Sequence, residues 1–160
     1  MPNHCYQQVH LYGPRTVVRE LYEHLLTTDE PQFCQLVCPM PLEIYNAPKT
    51  REIGGYEVPA WYAWRVNNWG TKWDLADVQI TQPLTLHDDE DVLPESMNAS
   101  FSFNCWTAWS PPIPIWDKLV EMGLSVDADY QDEGFNFEGT YLNGEDKCWE
   151  PEDVLDEEDA

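Results

Sequence analysis

Cysteine and histidine are the residues of this chain whose types and spacing could bind a metal ion or perform catalysis. Cys34 and Cys38 have the spacing of half a metal site, but no second cysteine pair lies at ligand spacing, so ordinary buried thiols are favoured. His4 and His10 fall on one face of a predicted strand, roughly 20 Å apart, which is too far for both to ligate one ion. The common catalytic and nucleotide-binding motifs do not occur. We therefore predict no metal, no cofactor and no enzymatic activity.

The cysteine count and the apolar runs bear on the compartment. Five cysteines at irregular positions make a poor disulfide framework and are typical of a reducing compartment. The first residues lack the basic flank and apolar run of a signal peptide, and no apolar stretch approaches the length that spans a membrane. We expect a cytoplasmic protein.

The balance of charge is the strongest signal in the sequence. The 160 residues include 30 Asp or Glu and 8 Lys or Arg, for a net charge of −22. Residues 1–74 hold 8 acidic and 6 basic residues, whereas residues 75–160 hold 22 and 2, so the second half alone carries −20. Adaptation to high salt would acidify the whole surface. The concentration of acidic residues in the second half of the chain instead favours an electrostatic field directed at a partner. It argues against direct binding to nucleic acid or to an anionic membrane.

The acidic residues of the second half are the predicted contacts with a basic partner. The run at 88–91 lacks the alternation and the glycine of a calcium loop, so a solvated acidic loop is favoured. The predicted contacts are Asp88, Asp89, Glu90, Asp91, Asp127, Asp129, Asp132, Glu133, Glu150, Glu152 and Asp153.

Hydrophobic periodicity assigns the elements that must position these residues. Alternation predicts strands over 4–12, 76–81, 98–108, 124–130 and 135–142, and apolar stripes predict helices over 14–26, 60–69 and 113–122. Residues 33–37 are a short apolar piece that we interpret as an edge strand, and Ser110 is the predicted cap of the last helix.

This order predicts an α+β fold. With residues 27–74 set aside as a Trp-rich helical insertion, the pattern is βαββαβ, the ferredoxin-like split arrangement of an antiparallel sheet with two helices on one face, followed by an extra C-terminal strand. Residues 1–145 form the predicted domain, and residues 146–160 form a predicted acidic tail.

The other face of the sheet carries aromatic side chains, and we expect the Trp-rich insertion to pack over part of it. A ligand pocket between sheet and insertion is the alternative use of these residues, which are Tyr6, His10, Trp69, Lys72, Trp73 and Trp106. Within the insertion, we expect Lys72 to pair with Asp74 and to lie between the rings of Trp69 and Trp73.

Several segments resemble one family, the YubB ferredoxin-like proteins. The resemblance covers residues 4 to 142, and its most specific segments are NWGTKWD at 68–74 and TAWSPP at 107–112. Weaker likeness lies at 5–14, 33–41 and 134–141. The resemblance implies the ferredoxin-like fold and a plasmid or phage setting. It supplies no catalytic activity that could be assigned to this chain.

The predicted function is that of an acidic, non-enzymatic inhibitor that acts through protein–protein interaction. In its sharpest form it is a DNA mimic from a mobile element that blocks a nucleic-acid-binding host defence complex, as an anti-CRISPR or anti-restriction protein does. The alternative is a small-ligand binder or enzyme that uses the pocket described above.

Overall fold

A computed structural model describes residues 4–27, 32–45, 50–53, 56–87 and 97–150 of the chain. Within these ranges it contains eight strands and five helices. The strands are β1 (His4–Pro14), β2 (Thr50–Ile53), β3 (Tyr56–Pro59), β4 (Ala76–His87), β5 (Asn98–Ala108), β6 (Ser125–Asp132), β7 (Glu138–Leu142) and β8 (Glu145–Trp149). The helices are α1 (Arg15–Thr27), α2 (Phe33–Val37), α3 (Leu42–Tyr45), α4 (Ala60–Asn68) and α5 (Ile113–Glu121).

The main sheet is antiparallel and has six strands in the order β4-β5-β1-β6-β7-β8. The α+β class is therefore confirmed, while the number and order of strands differ from a simple four-stranded ferredoxin-like sheet. Strand β1 is central and pairs along its length with β5 on one side and β6 on the other. The alternation of β1 fixes its register, because a slip of one residue would move the buried side chains to the other face of the sheet.

Helices α1 and α5 cover one face of this sheet. Val18, Leu21 and Leu25 repeat at helical spacing along α1 and are buried, as the apolar stripe predicts. Ile115, Trp116 and Leu119 do the same on α5. Against them lie the buried residues of the three central strands, which include Val9, Leu11, Phe101, Phe103, Val126 and Ala128.

The insertion lies on the helix-covered side of the sheet, so its predicted place over the opposite face is wrong. Helices α2 and α4 pack against α5, and α2 also contacts α1. The ring of Phe33 on α2 lies 5.9 Å from that of Phe103 on β5 and 6.4 Å from that of Trp116 on α5. The insertion therefore enlarges the main core. It also contains the hairpin β2–β3, which forms a separate two-stranded sheet.

Helix α2 replaces the edge strand predicted over 33–37. Both carboxylate oxygens of Asp74 accept hydrogen bonds from the first amides of this helix, those of Cys34 at 2.8 Å and Gln35 at 3.1 Å. A carboxylate at this end satisfies amides that have no partner within the helix and favours its dipole. The helix thus depends on a residue that lies 40 positions later in the chain.

The C-terminal end of the sheet is a hairpin and not the single extra strand of the prediction. Asn143 and Gly144 join β7 to β8, and both have positive φ, 49° and 103°, as a two-residue hairpin loop requires. Residues 146–149, which the prediction placed in the tail, pair with β7. Residues 151–160 lie outside the described residues.

Candidate binding surface on the open sheet face

The face of the sheet that α1 and α5 leave uncovered, here called the open face, is built by the even-numbered residues of β1. The register pairs Tyr6 with Trp106 of β5 and with Gln131 of β6. Two residues further along β1, Gln8 lies opposite Asp129, and His10 lies opposite Asp127. Because directly paired residues point to the same side of a sheet, these aromatic, amide and carboxylate side chains share one surface.

Asp127 and Asp129 are exposed on this surface. Among the residues that the structure describes, no Lys, Arg or His nitrogen lies within 4.0 Å of either carboxylate. Partial burial, and secondarily the charge of Asp127, raise the pKa of Asp129. Two unpaired like charges on neighbouring positions of one strand are a feature that a cationic partner would stabilise.

A cavity of about 270 Å³ lies beside Asp129 on the open face. Tyr6, Gln8, Glu138 and Trp149 contribute to its lining. The indole nitrogen of Trp149 donates a hydrogen bond of 2.9 Å to the carboxylate of Glu138, and this bond holds the ring against β7. The cavity therefore combines carboxylates with a half-buried ring, that of Tyr6, and an exposed ring, that of Trp149.

A second cavity of about 310 Å³ is lined by His4, Ala76, Asp77, Trp106 and Glu133. The rings of Tyr6 and Trp106 are in contact, with centroids 5.0 Å apart, and each lines one of the two cavities. Glu133 accepts a hydrogen bond of 2.7 Å from the backbone amide of His4, and its Oε1 lies 3.5 Å from the His4 ring. Its carboxylate is thus partly committed to holding the start of β1.

Ser102, His10 and Asp127 are direct neighbours across β5, β1 and β6, a set of residue types that could support nucleophilic catalysis. The His10 Nδ1 lies 2.7 Å from the Ser102 Oγ, and that hydroxyl donates a hydrogen bond of 3.1 Å to the Oε1 of Gln82. The tautomer of His10 decides whether its ring donates to this hydroxyl or accepts from it. Among the described residues, Asp127 has no His nitrogen within 4.0 Å, so the three side chains do not form a hydrogen-bonded triad.

The structure separates the remaining acidic residues of the predicted contact set. Asp132 is only 2 % exposed, and its carboxylate accepts hydrogen bonds from the backbone and side-chain amides of Asn136, at 3.2 and 2.7 Å. It stabilises a turn and is not available to a partner, so its prediction as a contact is wrong. Glu150 is exposed next to the end of β8. Outside the described residues lie Asp88, Asp89, Glu90, Asp91, Glu152 and Asp153.

The six predicted pocket residues do not form one pocket, because they lie on opposite sides of the sheet. Tyr6, His10 and Trp106 belong to the open face, whereas Trp69 is 1 % exposed within the core on the helix-covered side. The indole of Trp69 donates a hydrogen bond of 2.8 Å to the carbonyl of Cys38. The prediction failed because it placed the insertion over the wrong face.

Lys72 and Trp73 lie in a corner where the segments 68–74 and 107–112 meet. The Ser110 hydroxyl donates a hydrogen bond of 2.6 Å to the carbonyl of Gly70, so Ser110 is not the predicted cap of α5. The Thr71 hydroxyl donates to the carbonyl of Ala108 at 3.1 Å and accepts from its amide at 3.0 Å. Gly70 has a φ of +78°, and a Cβ there would approach the Pro114 ring to 2.7 Å. The corner therefore locks the insertion to the end of β5.

The cations of this corner are held by aromatic rings, and the pairing matches the prediction for Trp73 but not for Trp69. The Lys72 ammonium lies 4.8 Å from the ring centroid of Trp73, 5.1 Å from that of Tyr62 and 5.6 Å from that of Trp109. Arg65 lies over Trp69, at 4.9 Å. Trp69 therefore does not flank Lys72, and Asp74 caps α2 in place of pairing with Lys72.

Cys34 and Cys105 lie in the core, where burial raises the pKa of both thiols and keeps them protonated. Since a metal binds the thiolate, this environment opposes a metal site at Cys34. Within the described ranges, no three His, Cys, Asp or Glu side chains are grouped closely enough to hold an ion.

Comparison of the chain with protein-family models, curated proteins and solved structures found no match. The resemblance to the YubB ferredoxin-like proteins accordingly stays a prediction. In the described part of the chain, no helix is long and apolar enough to cross a membrane.

Proposed function

We propose that this protein is a non-enzymatic binding protein that engages a basic surface on another protein. The observation that carries the proposal is the open face, where Asp129 lies diagonal to Tyr6 and Asp127 lies opposite His10. Among the described residues, no cation pairs with either carboxylate and no helix covers them. Carboxylates next to exposed aromatic rings are suited to receive Arg and Lys side chains.

The core of the fold is, in this proposal, the ferredoxin-like split arrangement. With residues 27–74 set aside, β1, α1, β4, β5, α5 and β6 follow in βαββαβ order, and their strands lie in the order β4-β5-β1-β6. The hairpin β7–β8 extends the sheet beyond β6, so it enlarges the open face on its acidic side.

In its sharpest form, the protein imitates nucleic acid and blocks a nucleic-acid-binding defence complex of the anti-CRISPR or anti-restriction type. Duplex DNA carries one charge per ~1.7 Å of axis, so the net −20 of residues 75–160 corresponds to roughly 34 Å of duplex. The proposed origin in a mobile element rests on the family resemblance. The proposed location is the cytoplasm, because that is where a nucleic-acid-binding defence complex acts.

A small-ligand binder or enzyme is the second candidate, and the cavity of about 270 Å³ is the observation that favours it. The proposal of a protein partner is preferred because the acidic field extends well beyond this cavity, and because Ser102, His10 and Asp127 do not form a hydrogen-bonded triad.

Salt-dependent capture tests the proposal. The native protein is immobilised and exposed to a bacterial lysate at low salt. It is expected to retain a basic protein that a salt gradient elutes, and added duplex DNA should compete for that basic protein. The double variant Asp127→Asn with Asp129→Asn should weaken the complex by about tenfold or more.

The matched control is Glu20→Gln with Glu121→Gln, which removes the same charge from exposed positions on α1 and α5. It should weaken binding much less, since these residues lie on the helix-covered side. A complex that forms equally at low and high salt, or that responds identically to both double variants, would contradict the proposal.

A further inference from the structure

The cavity beside Asp129 is shaped by two neighbouring cross-strand rows of the open face. One row runs Tyr6, Gln131, Glu138, Trp149, and the next runs Gln8, Asp129, Thr140, Lys147. Tyr6 and Asp129 are diagonal neighbours, at a Cα separation of roughly 7–8 Å, which a ring and a carboxylate can bridge around one ligand group. The cavity thus offers an aromatic surface and an acceptor side by side.

The carboxylates that line this cavity differ in the hydrogen bonds that they already accept. One oxygen of Glu138 already accepts the hydrogen bond of the Trp149 indole. The carboxylate of Asp129 accepts no hydrogen bond from any described residue and forms no ion pair with one. The cation of the second row, Lys147, lies two strands away and is 3.9 Å from Glu145 on its own strand. Asp129 is therefore the acceptor that a ligand can use in full.

From this arrangement we infer that the cavity receives an arginine side chain of the basic partner, with the guanidinium stacked on Tyr6 and hydrogen-bonded to Asp129. The inference rests on the proposed function and names the partner group that this site recognises. A guanidinium is planar and presents paired N–H donors, so it can stack and bind a carboxylate at once, whereas a lysine ammonium is a compact and strongly hydrated charge. Glu138 also lines this cavity, and its negative charge adds to the attraction.

Two synthetic peptides of equal charge test this assignment, one alternating arginine with glycine and one alternating lysine with glycine. The arginine peptide is expected to bind the full chain about fivefold or more tightly than the lysine peptide. It should also shift the indole N–H resonance of Trp149, identified from a Trp149→Phe variant. Titration calorimetry at low salt measures the affinities, and NMR locates the site.

Variants on the open face distinguish binding at the guanidinium site from the general electrostatic attraction of the acidic protein. Asp129→Asn should lower the affinity for the arginine peptide about tenfold and abolish the preference over lysine. Glu121→Gln, which makes the same charge change on α5, should lower both affinities equally and by less than about twofold. Tyr6→Leu should remove the preference, whereas Tyr6→Phe, which keeps the ring, should retain it.

The outcomes distinguish this inference from the proposed function. If both peptides bind equally well, and Asp129→Asn acts no differently from Glu121→Gln, the arginine site is wrong while the acidic binding surface stands. If neither peptide binds at low salt, both are wrong.

Discussion

The two faces of the sheet are made by the same strands but differ in what their residues are for. On the covered face, Phe101, Phe103 and Trp116 are fully buried and contact other rings of the core. On the open face, Tyr6 and Trp106 are half-buried, and Tyr6 lies diagonal to Asp129, whose carboxylate has no described cation. Because side chains alternate along a strand, one sequence can supply a core and a binding surface independently. Stability should therefore depend on one face, and recognition on the other.

The largest expected contrast is between two tryptophans. Trp116→Ala should lower the free energy of unfolding by about 3–5 kcal/mol, since it leaves a cavity in the core. Trp106→Ala should cost less, about 2 kcal/mol, because its ring stays partly exposed and its removal leaves no enclosed cavity in the core. Urea unfolding of both variants measures the difference. Equal losses would show that the open face is also part of the core.

Thiol chemistry extends the contrast to the reactivity of cysteines. Burial is the main cause that raises the pKa of Cys5, to about 12, while Cys148 is exposed on β8. In the native protein at pH 8, iodoacetamide should modify Cys148 about a hundredfold faster than Cys5, Cys34 or Cys105, which must wait for an opening of the core. Mass spectrometry of peptides reports each site. Rapid modification of Cys105 in the folded protein would contradict the described core.

Two carboxylates give the next contrast. Asp74→Ala should cost about 1–2 kcal/mol of stability because it removes the acceptor of two amides at the start of α2. Asp127→Ala, on the open face, should change stability by less than about 0.5 kcal/mol. Asp74→Asn, which keeps one oxygen, should be intermediate. Thermal and urea unfolding decide, and a cost for Asp127→Ala as large as for Asp74→Ala would remove the distinction between the faces.

The smallest effect concerns pH. The pKa of Asp129 is raised in the folded state by burial, then by Asp127, so the folded protein holds this proton more tightly than the unfolded chain does. The free energy of unfolding therefore falls as pH rises from the pKa of the unfolded chain, ~3.9, to the higher pKa of the folded protein. Below ~3.9 the carboxyl is protonated in both states, and its ionisation costs no stability. Asp129→Asn should raise Tm slightly at pH 7 and leave it unchanged near pH 3. Equal gains at both values would assign the effect to something other than ionisation.

Local periodicity was sufficient for the elements that hold the main core. The alternation of β1, β5 and β6 and the apolar stripes of α1 and α5 predict both the elements and the residues they bury, because these patterns repeat within a few positions. The hairpin β7–β8 was missed although Asn143-Gly144 between two short strands is a readable turn signal. This error extended the predicted tail into β8.

The candidate site was predictable only in part. The alternation of β1 places Tyr6 and His10 on one face, and that of β6 adds Asp127 and Asp129. Glu138 joins them through the pairing of β7 with β6, which no local pattern encodes, and Trp149 follows through the hairpin β7–β8. Trp69 was assigned to the wrong side of the sheet. A Trp-rich helix is apolar in several directions, so its sequence does not state which face it covers.

The sequence by itself determined the acidic imbalance, the α+β class and the alternation that divides the strands into two faces, since each follows from composition or from contacts between near neighbours. Only the tertiary structure decided where the insertion packs, that Asp74 caps a helix begun 41 residues earlier, and that Tyr62 and Trp109 join Trp73 around Lys72. These choices depend on contacts between distant segments, and their free energies exist only once the core has brought those segments together.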